Sequence, residues 1–404
     1  MNTNTTNTIR TLGSKPSEDI ALPARSVSRP PAGSSSQTPA PQPGTPPVIG
    51  EGSVILLGLD VHLRQITVVR QIDHSLPQPA QRFDQSGLLE WIGKMIAQGA
   101  TVYSCYEAGC FGYVLHRALA ELGVTNLVVA PEVLNPRKKT DGRDARELCI
   151  RLERYLAGNT HAFAVVRVPT VEQERRREAG RQRERLLKER LRAERRGASL
   201  LLLEGHKACR QWWEPVRWAG SRAKLPADLA KRVDLWQQQA QYYDEEEKRL
   251  TKVLEDEAAA SMCSLPGGLG KLTWRLLGGE ILSWSRFNNR REVASYTGLC
   301  PGEDSSGESR RQGPINRHGN PRVRTLLVEA VWRLTRFEPN WRGLKKFPVL
   351  FDKQAGSRKR RRAVVAAARL LAIDLWRLET GRTEAAALGF RRPFLPRAAT
   401  PPRD

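Results

Sequence analysis

Between Val54 and Gly158, short apolar and β-branched runs alternate with amphipathic stretches, and this alternation constrains the fold more than any other feature. VILLGLDVH is an apolar run ending on an acid, Asp60, and QITVVRQI follows with near-alternating β-branched residues. The two read as adjacent antiparallel strands. SGLLEWIGKMIAQG places Leu88, Leu89, Ile92 and Ile96 on one helical face, with Gly99 near its end. TVYSCYEAG reads as a third strand reaching Glu107, and GYVLHRALAELG as a helix closed by Gly123. TNLVVAPEVL reads as a fourth strand, and KTDGRDARELCIRLERYLAG as a helix with Gly158 at its end. The expectation is one α/β domain over 51–165.

The flanks differ in texture. Residues 1–50 are rich in Thr, Ser, Pro and Gly and hold too few large apolar side chains to offset their ordering entropy, so a disordered tail is expected. Over 170–258, EQERRREAGRQRERLLKERLRAERR and ADLAKRVDLWQQQAQYYDEEEKRLTKVLEDEAA flank a Trp- and Pro-containing turn. Leu229, Val233, Trp236, Ala240, Tyr243, Glu247, Leu250 and Leu254 approximate a three-to-four spacing, which predicts two long helices paired as a hairpin or coiled coil. A solvated single helix fits the first of them nearly as well. From 260 to 345 a mostly helical domain is expected, with LPGGLG as a turn before a helix and LCPGEDSSGESRRQGPINRHGN as a polar loop without regular structure. A basic helical extension occupies 346–404 and loosens from about Arg391.

The chain carries 66 Lys and Arg against 43 Asp and Glu, a net charge of +23. Such a field draws polyanions, so nucleic acid is the first partner to consider and an anionic membrane surface the second. The sequence has neither an apolar run of about 18 residues nor a secretory h-region. None of its six cysteines forms a C-x-x-C pair, so no structural zinc site is expected, and thiols in a reducing cytoplasm are.

Four carboxylates sit where strands end or a helix begins: Asp60, Glu107, Asp141 and Asp144. Asp141 and Asp144 share a helical face at i, i+3. Clustered carboxylates repel one another until a cation neutralises them, and oxygen ligands suit Mg²⁺ or Mn²⁺. Two such ions would stabilise both the attacking and the leaving oxygen of a phosphodiester displacement. Singly, each acid has a plainer role: Asp60 could start a turn, Glu107 could be a surface residue, and Asp141 could cap a helix whose dipole Asp144 complements.

GLDVHLRQITVV, CYEAG and KKTDGRDARELCIRL together resemble the RuvC-like domain of the DEDD transposases of the "IS one-ten" insertion-sequence family. LPGGLGKLTWRLLGGEI and RFNNRREVASYTGLCPGEDSSGESRRQGPINRHGNPRVRTLLVEAVW resemble the same family's C-terminal domain. The resemblance covers roughly 54–160 and 261–340. It implies an RNase H-like N-terminal fold, a coiled-coil middle and a mostly helical C-terminal domain. It also implies that Asp60, Glu107, Asp141 and Asp144 hold Mg²⁺, with Lys138 and Lys139 as a basic lead-in. A serine of the SSG loop, Ser306 first and Ser305 second, would attack DNA and form a phosphoserine link. The family further implies a structured guide RNA that pairs with donor and target DNA, and a composite active site; a homo-oligomer, dimer or tetramer, brought together by the middle helices is also expected. The acidic CPGED lead into the serine loop departs from the family pattern.

Several basic residues are candidates for nucleic-acid contact. In LPGGLG, Gly268 and Gly270 would let backbone N–H groups approach a phosphate, with Lys271 adding charge, although a plain interhelical turn needs the same glycines. Arg310, Arg311, Arg317, His318, Arg322 and Arg324 flank the serine loop, and Arg358 to Arg362 form a second basic run. Such contacts position the phosphate backbone and carry little sequence information. Two other functions stay open. A junction endonuclease using water would keep the four acids and need no serine. A non-catalytic nucleic-acid-binding protein would need neither.

Overall fold

The computed structural model describes residues 50–131, 140–306, 309–352 and 354–396, with backbone only at 261–263, 304–306, 309–312 and 396. The expected disordered tail before residue 50, and Lys138 and Lys139, lie outside the described residues. The chain divides into two compact units with the boundary between Val168 and Pro169.

The first unit is a five-stranded sheet with helices on both faces. Its strands and helices are β1 (Val54–Val61), β2 (Ile66–Ile72), β3 (Gln81–Phe83), α1 (Gln85–Ala97), β4 (Thr101–Glu107), α2 (Val114–Glu121), β5 (Thr125–Val129) and α3 (Asp141–Leu156). The strand order is β3-β2-β1-β4-β5. β1–β2 and β2–β3 are antiparallel, whereas β1–β4 and β4–β5 are parallel. β1 is central and buried on both faces, which is why its sequence is a continuous apolar run. Ile55, Leu57 and Leu59 pack with Leu88, Ile92 and Leu119 of α1 and α2. Leu56 and Cys105 face the other way, onto Ala145, Leu148 and Cys149 of α3. Burial pushes the Cys149 thiol up to about 12, so this cysteine is a core side chain and not a reactive thiolate.

The second unit begins with α4 (Val171–Leu203), α5 (Pro215–Arg222) and α6 (Ala227–Ser261). Thr170 and Gln173 form a reciprocal capping box at the start of α4. α4 and α6 run antiparallel, paired by Arg183 with Glu247, Arg190 with Asp244, and Glu204 with Arg232. At the turn, Trp212, Trp213 and Trp218 bury against Ala193, Leu201 and Leu229. Then follow β6 (Met262–Ser264), α7 (Lys271–Ile281), α8 (Arg290–Thr297), β7 (Pro301–Ser306), β8 (Ser309–Ile315), α9 (Pro321–Phe337), α10 (Arg342–Lys346), α11 (Ser357–Glu379) and β9 (Leu395–Pro396). α7 to α11 share one apolar core that includes Trp274, Leu327, Val331, Trp341 and Leu371.

Two expectations are corrected. The stretch expected as a loop without regular structure is an antiparallel hairpin, with Pro301 opposite Ile315 and Ser305 opposite Arg310. The stretch expected to loosen near Arg391 is held further on, because β9 pairs with β6.

Glu280 of α7 is a buried anchor in this unit. Arg181 donates to both of its oxygens at 2.8 and 3.0 Å, and Asn320 Nδ2 donates at 2.8 Å. Burial pushes its carboxyl up, but these hydrogen bonds and the charges of Arg181 and Arg322 outweigh burial and hold it below its ordinary value near 4.5. A lowered folded-state value means stability that is fully present above the ordinary value and lost as pH falls through the folded one. Wild-type protein is therefore expected to lose more thermal stability between pH 7 and pH 3.5 than Glu280→Gln. Equal losses would show that the Arg181–Glu280 pair contributes nothing to acid sensitivity.

Candidate metal centre

The acids expected as ligands collect at one end of the first unit's sheet. Side chains of even number in β1 face α3, and Gly58 marks the point of closest approach. A Cβ on Gly58 would lie 2.0 Å from the Ala145 carbonyl oxygen and 2.5 Å from the Cys149 nitrogen. Glycine in a central strand is the residue that permits such contact. Two residues further along β1, Asp60 projects from the same face; one turn back along α3 from Ala145 stands Asp141, and Asp144 immediately precedes Ala145. Close packing of α3 on Gly58 thus sets how near these carboxylates come.

Among the described residues, Asp60, His62 and Asp141 are the group of three ligand-capable side chains whose atoms all lie within 4.8 Å of one another. His62 Nε2 is 3.1 Å from Asp60 Oδ2 and 3.8 Å from Asp141 Oδ1. Asp144 lies outside this group, yet its charge reaches Asp60. Burial pushes the Asp60 carboxyl above its ordinary range; His62 opposes this, and the negative charges of Asp141 and Asp144 add to it. The charged form is thus disfavoured in the fold, a penalty that a bound cation would relieve. Glu107 ends β4 and is exposed. Because Leu59 pairs with Tyr106 in parallel register, Glu107 follows on the strand beside Asp60 and on the same sheet face. The donor set is mostly carboxylate oxygen, which fits Mg²⁺ or Mn²⁺.

Sequence reasoning missed Gly58 and His62. Both signals are present in G-L-D-V-H, since residues two before and two after Asp60 share its face of the strand. Gly58→Ala is expected to shift α3 and to destabilise the protein by about 3 kcal/mol, near the top of the usual range for overpacking, because the obstruction is backbone. A thermal melt unchanged within about a degree would show that α3 does not rest on Gly58.

The remaining candidates lie in the second unit. Ser305 and Ser306 are the last residues of β7, and Arg310 and Arg311 pair with Ser305 and Asp304 across the hairpin. Gly268 has φ +83°, and its carbonyl accepts from Arg333 Nε at 3.0 Å. The Gly267 N–H donates to Glu338 at 2.7 Å, so the LPGGLG turn is tied to α9 and its end. Gly270 caps α7, and Lys271 is exposed at its first position. Arg317 and His318 are exposed. Arg322 pairs with Glu184, and Arg324 donates to the Thr297 carbonyl at 3.2 Å, so both have internal partners.

Comparison with known proteins gives a consistent result. Residues 260–346 match the family model described as Transposase IS116/IS110/IS902 family. The chain is 30% identical over 298 residues to a Sinorhizobium fredii protein bearing the name transposase y4rJ, covering 67% of this chain and 75% of the relative. It is 25% identical over 306 residues to the transposase for insertion sequence element IS1533 of Leptospira borgpetersenii, covering 69% and 85% of the two chains. It is 23% identical over 288 residues to the transposase for insertion sequence element IS1328 of Yersinia enterocolitica, covering 69% and 83%. No described helix is long and apolar enough to cross a membrane. The chain belongs to the IS116/IS110/IS902 family of transposases.

Proposed function

We propose that this transposase cuts and rejoins DNA strands at an Mg²⁺-dependent site held by Asp60, Glu107, Asp141 and Asp144, with Ser306 as nucleophile. The observation that carries this reading is the convergence of Asp60 and Asp141, with Asp144 on the same helix, at the end of the central strands. The strand order β3-β2-β1-β4-β5, antiparallel on one side of β1 and parallel on the other, supports an RNase H-like domain. When bound, Mg²⁺ supplies the positive charge that a phosphodiester displacement requires. The chain's own acids set where that charge sits, and His62 holds Asp60 in place by a side-chain hydrogen bond.

In the cutting step, Ser306 Oγ forms a bond to phosphorus and the bridging DNA oxygen leaves with its electron pair. The serine proton goes to solvent or to the departing oxygen. A second DNA end then attacks the phosphoserine and restores the serine. Ser305 is the alternative nucleophile. A structured RNA encoded with the element would select the DNA by base pairing, and the protein would read shape and phosphates. The paired α4 and α6, read as a coiled coil, would bring together a homo-oligomer whose site combines both units.

The test is adduct trapping. Protein, the RNA encoded beside the gene, Mg²⁺ and element-end DNA are incubated, denatured and resolved on a gel. A protein–DNA band that persists in Ser305→Ala and disappears in Ser306→Ala is expected. Cleavage without any adduct in wild type would replace the serine with water as nucleophile.

A further inference from the structure

α11 has two faces. One carries Ala363, Ala367, Leu371 and Leu375 into the core. The other walls a groove of about 1080 Å³ whose opposite side is the root of the β7–β8 hairpin, at Pro301 and residues 313–315. Six cations border it: Arg317, Lys346, Arg358, Arg361, Arg362 and Arg369. Among the described residues, no Asp or Glu lines it. The cleft between α4, α7 and α9 is the contrast, since Glu184, Glu280 and Glu329 stand among its arginines. Among the described residues, none of the six cations has a carboxylate partner, and Arg369 Nε is buried without a hydrogen bond. The floor is apolar, formed by Leu299, Phe347, Val365, Leu370 and Ile373.

Uncompensated cations around a concave surface focus positive potential and select a polyanion. The floor narrows the choice. A duplex presents sugars and phosphates outward and hides its base faces, whereas an unpaired strand offers flat apolar faces as well as phosphates. We propose that this groove binds an unpaired DNA strand, the one adjoining the phosphodiester cut at the hairpin. DNA is favoured over RNA because the groove shares its wall with the hairpin that ends in Ser305 and Ser306. The choice of strand therefore rests on the function proposed above. The matched family region ends at 346, so the α11 wall lies beyond it.

The test uses full-length protein in EDTA, so that binding is separated from chemistry. Fluorescence anisotropy is read with a 12-nucleotide unpaired DNA, its duplex and the same sequence as RNA. Arg361→Ala/Arg362→Ala/Arg369→Ala is expected to weaken unpaired DNA at least about tenfold. It should also flatten the dependence of log affinity on log salt by about 2, near 0.7 for each lost phosphate contact. The exposed double variant Arg361→Ala/Arg362→Ala should show a smaller loss in the same direction, which guards against misfolding of the triple. Lys231→Ala/Lys252→Ala, outside the groove, should bind as wild type. Unchanged DNA binding in the triple variant overturns the proposal. So does a loss confined to RNA, or an equal loss for duplex. If the groove behaves as expected while no covalent adduct ever forms, the serine chemistry fails and the groove stands.

Discussion

Asp60→Asn is expected to lower DNA strand transfer by at least about 10³-fold while leaving the protein folded and no less stable. The first half follows from the proposed metal site, which would lose an anionic ligand where charge stabilisation amounts to several kcal/mol. Each ~1.4 kcal/mol is a tenfold change in rate. The second half follows from the environment of the carboxyl. Burial and the charges of Asp141 and Asp144 disfavour ionised Asp60 in the metal-free fold. A neutral amide of the same shape removes that repulsion and can still meet His62. Strand transfer from a plasmid-borne element and a thermal melt check the two halves. Lost activity accompanied by a large drop in melting temperature would mean that Asp60 serves folding, not chemistry.

Asp374→Ala is expected to destabilise the second unit by about 3–5 kcal/mol, the range for stripping one partner from a buried charge pair. Asp374 lies in α11 and is fully buried. It accepts from Trp341 Nε1 at 2.9 Å and from Arg342 Nε at 2.9 Å, and the second guanidinium nitrogen of Arg342 completes a two-point contact. Removing the carboxylate leaves the Trp341 N–H without an acceptor inside the core, adds a cavity, and strands a guanidinium whose side chain is 38% exposed. Asp374→Asn keeps an acceptor for Trp341 and should lose less. Chemical denaturation followed by tryptophan fluorescence checks this. A loss under about 1 kcal/mol for Asp374→Ala would show that Arg342 and Trp341 find solvent partners instead.

The first unit was largely legible in the sequence because its signals are local. β1 is a continuous apolar run, α1 and α2 carry apolar residues at helical spacing, and Asp60 and Glu107 stand at strand ends. The approach of α3 to Gly58 was not legible as a contact, because it joins residues far apart in the chain. The β7–β8 hairpin was missed for a different reason. PGEDSS and SRRQGPI have no apolar alternation, so nothing in them announces strands. Their pairing is carried by backbone. β9 pairs with a strand more than a hundred residues earlier, a partnership that no local pattern encodes. In the same way, the helical spacing of α11 was readable, but its place in a core with Trp341 and Val331 depends on tertiary packing. The basic groove is a product of that packing, with its cations contributed by separate segments.

Mn²⁺ binding followed by electron paramagnetic resonance tests, without relying on activity, whether Asp60 and Asp141 hold a divalent cation as proposed. Wild-type protein titrated with Mn²⁺ should quench the free-ion signal with saturable stoichiometry, and Mg²⁺ should compete. Asp60→Asn and Asp141→Asn should each abolish that quenching while keeping the wild-type circular dichroism spectrum. Saturable Mn²⁺ binding that survives both substitutions would contradict the assignment and move the metal centre away from the end of β1.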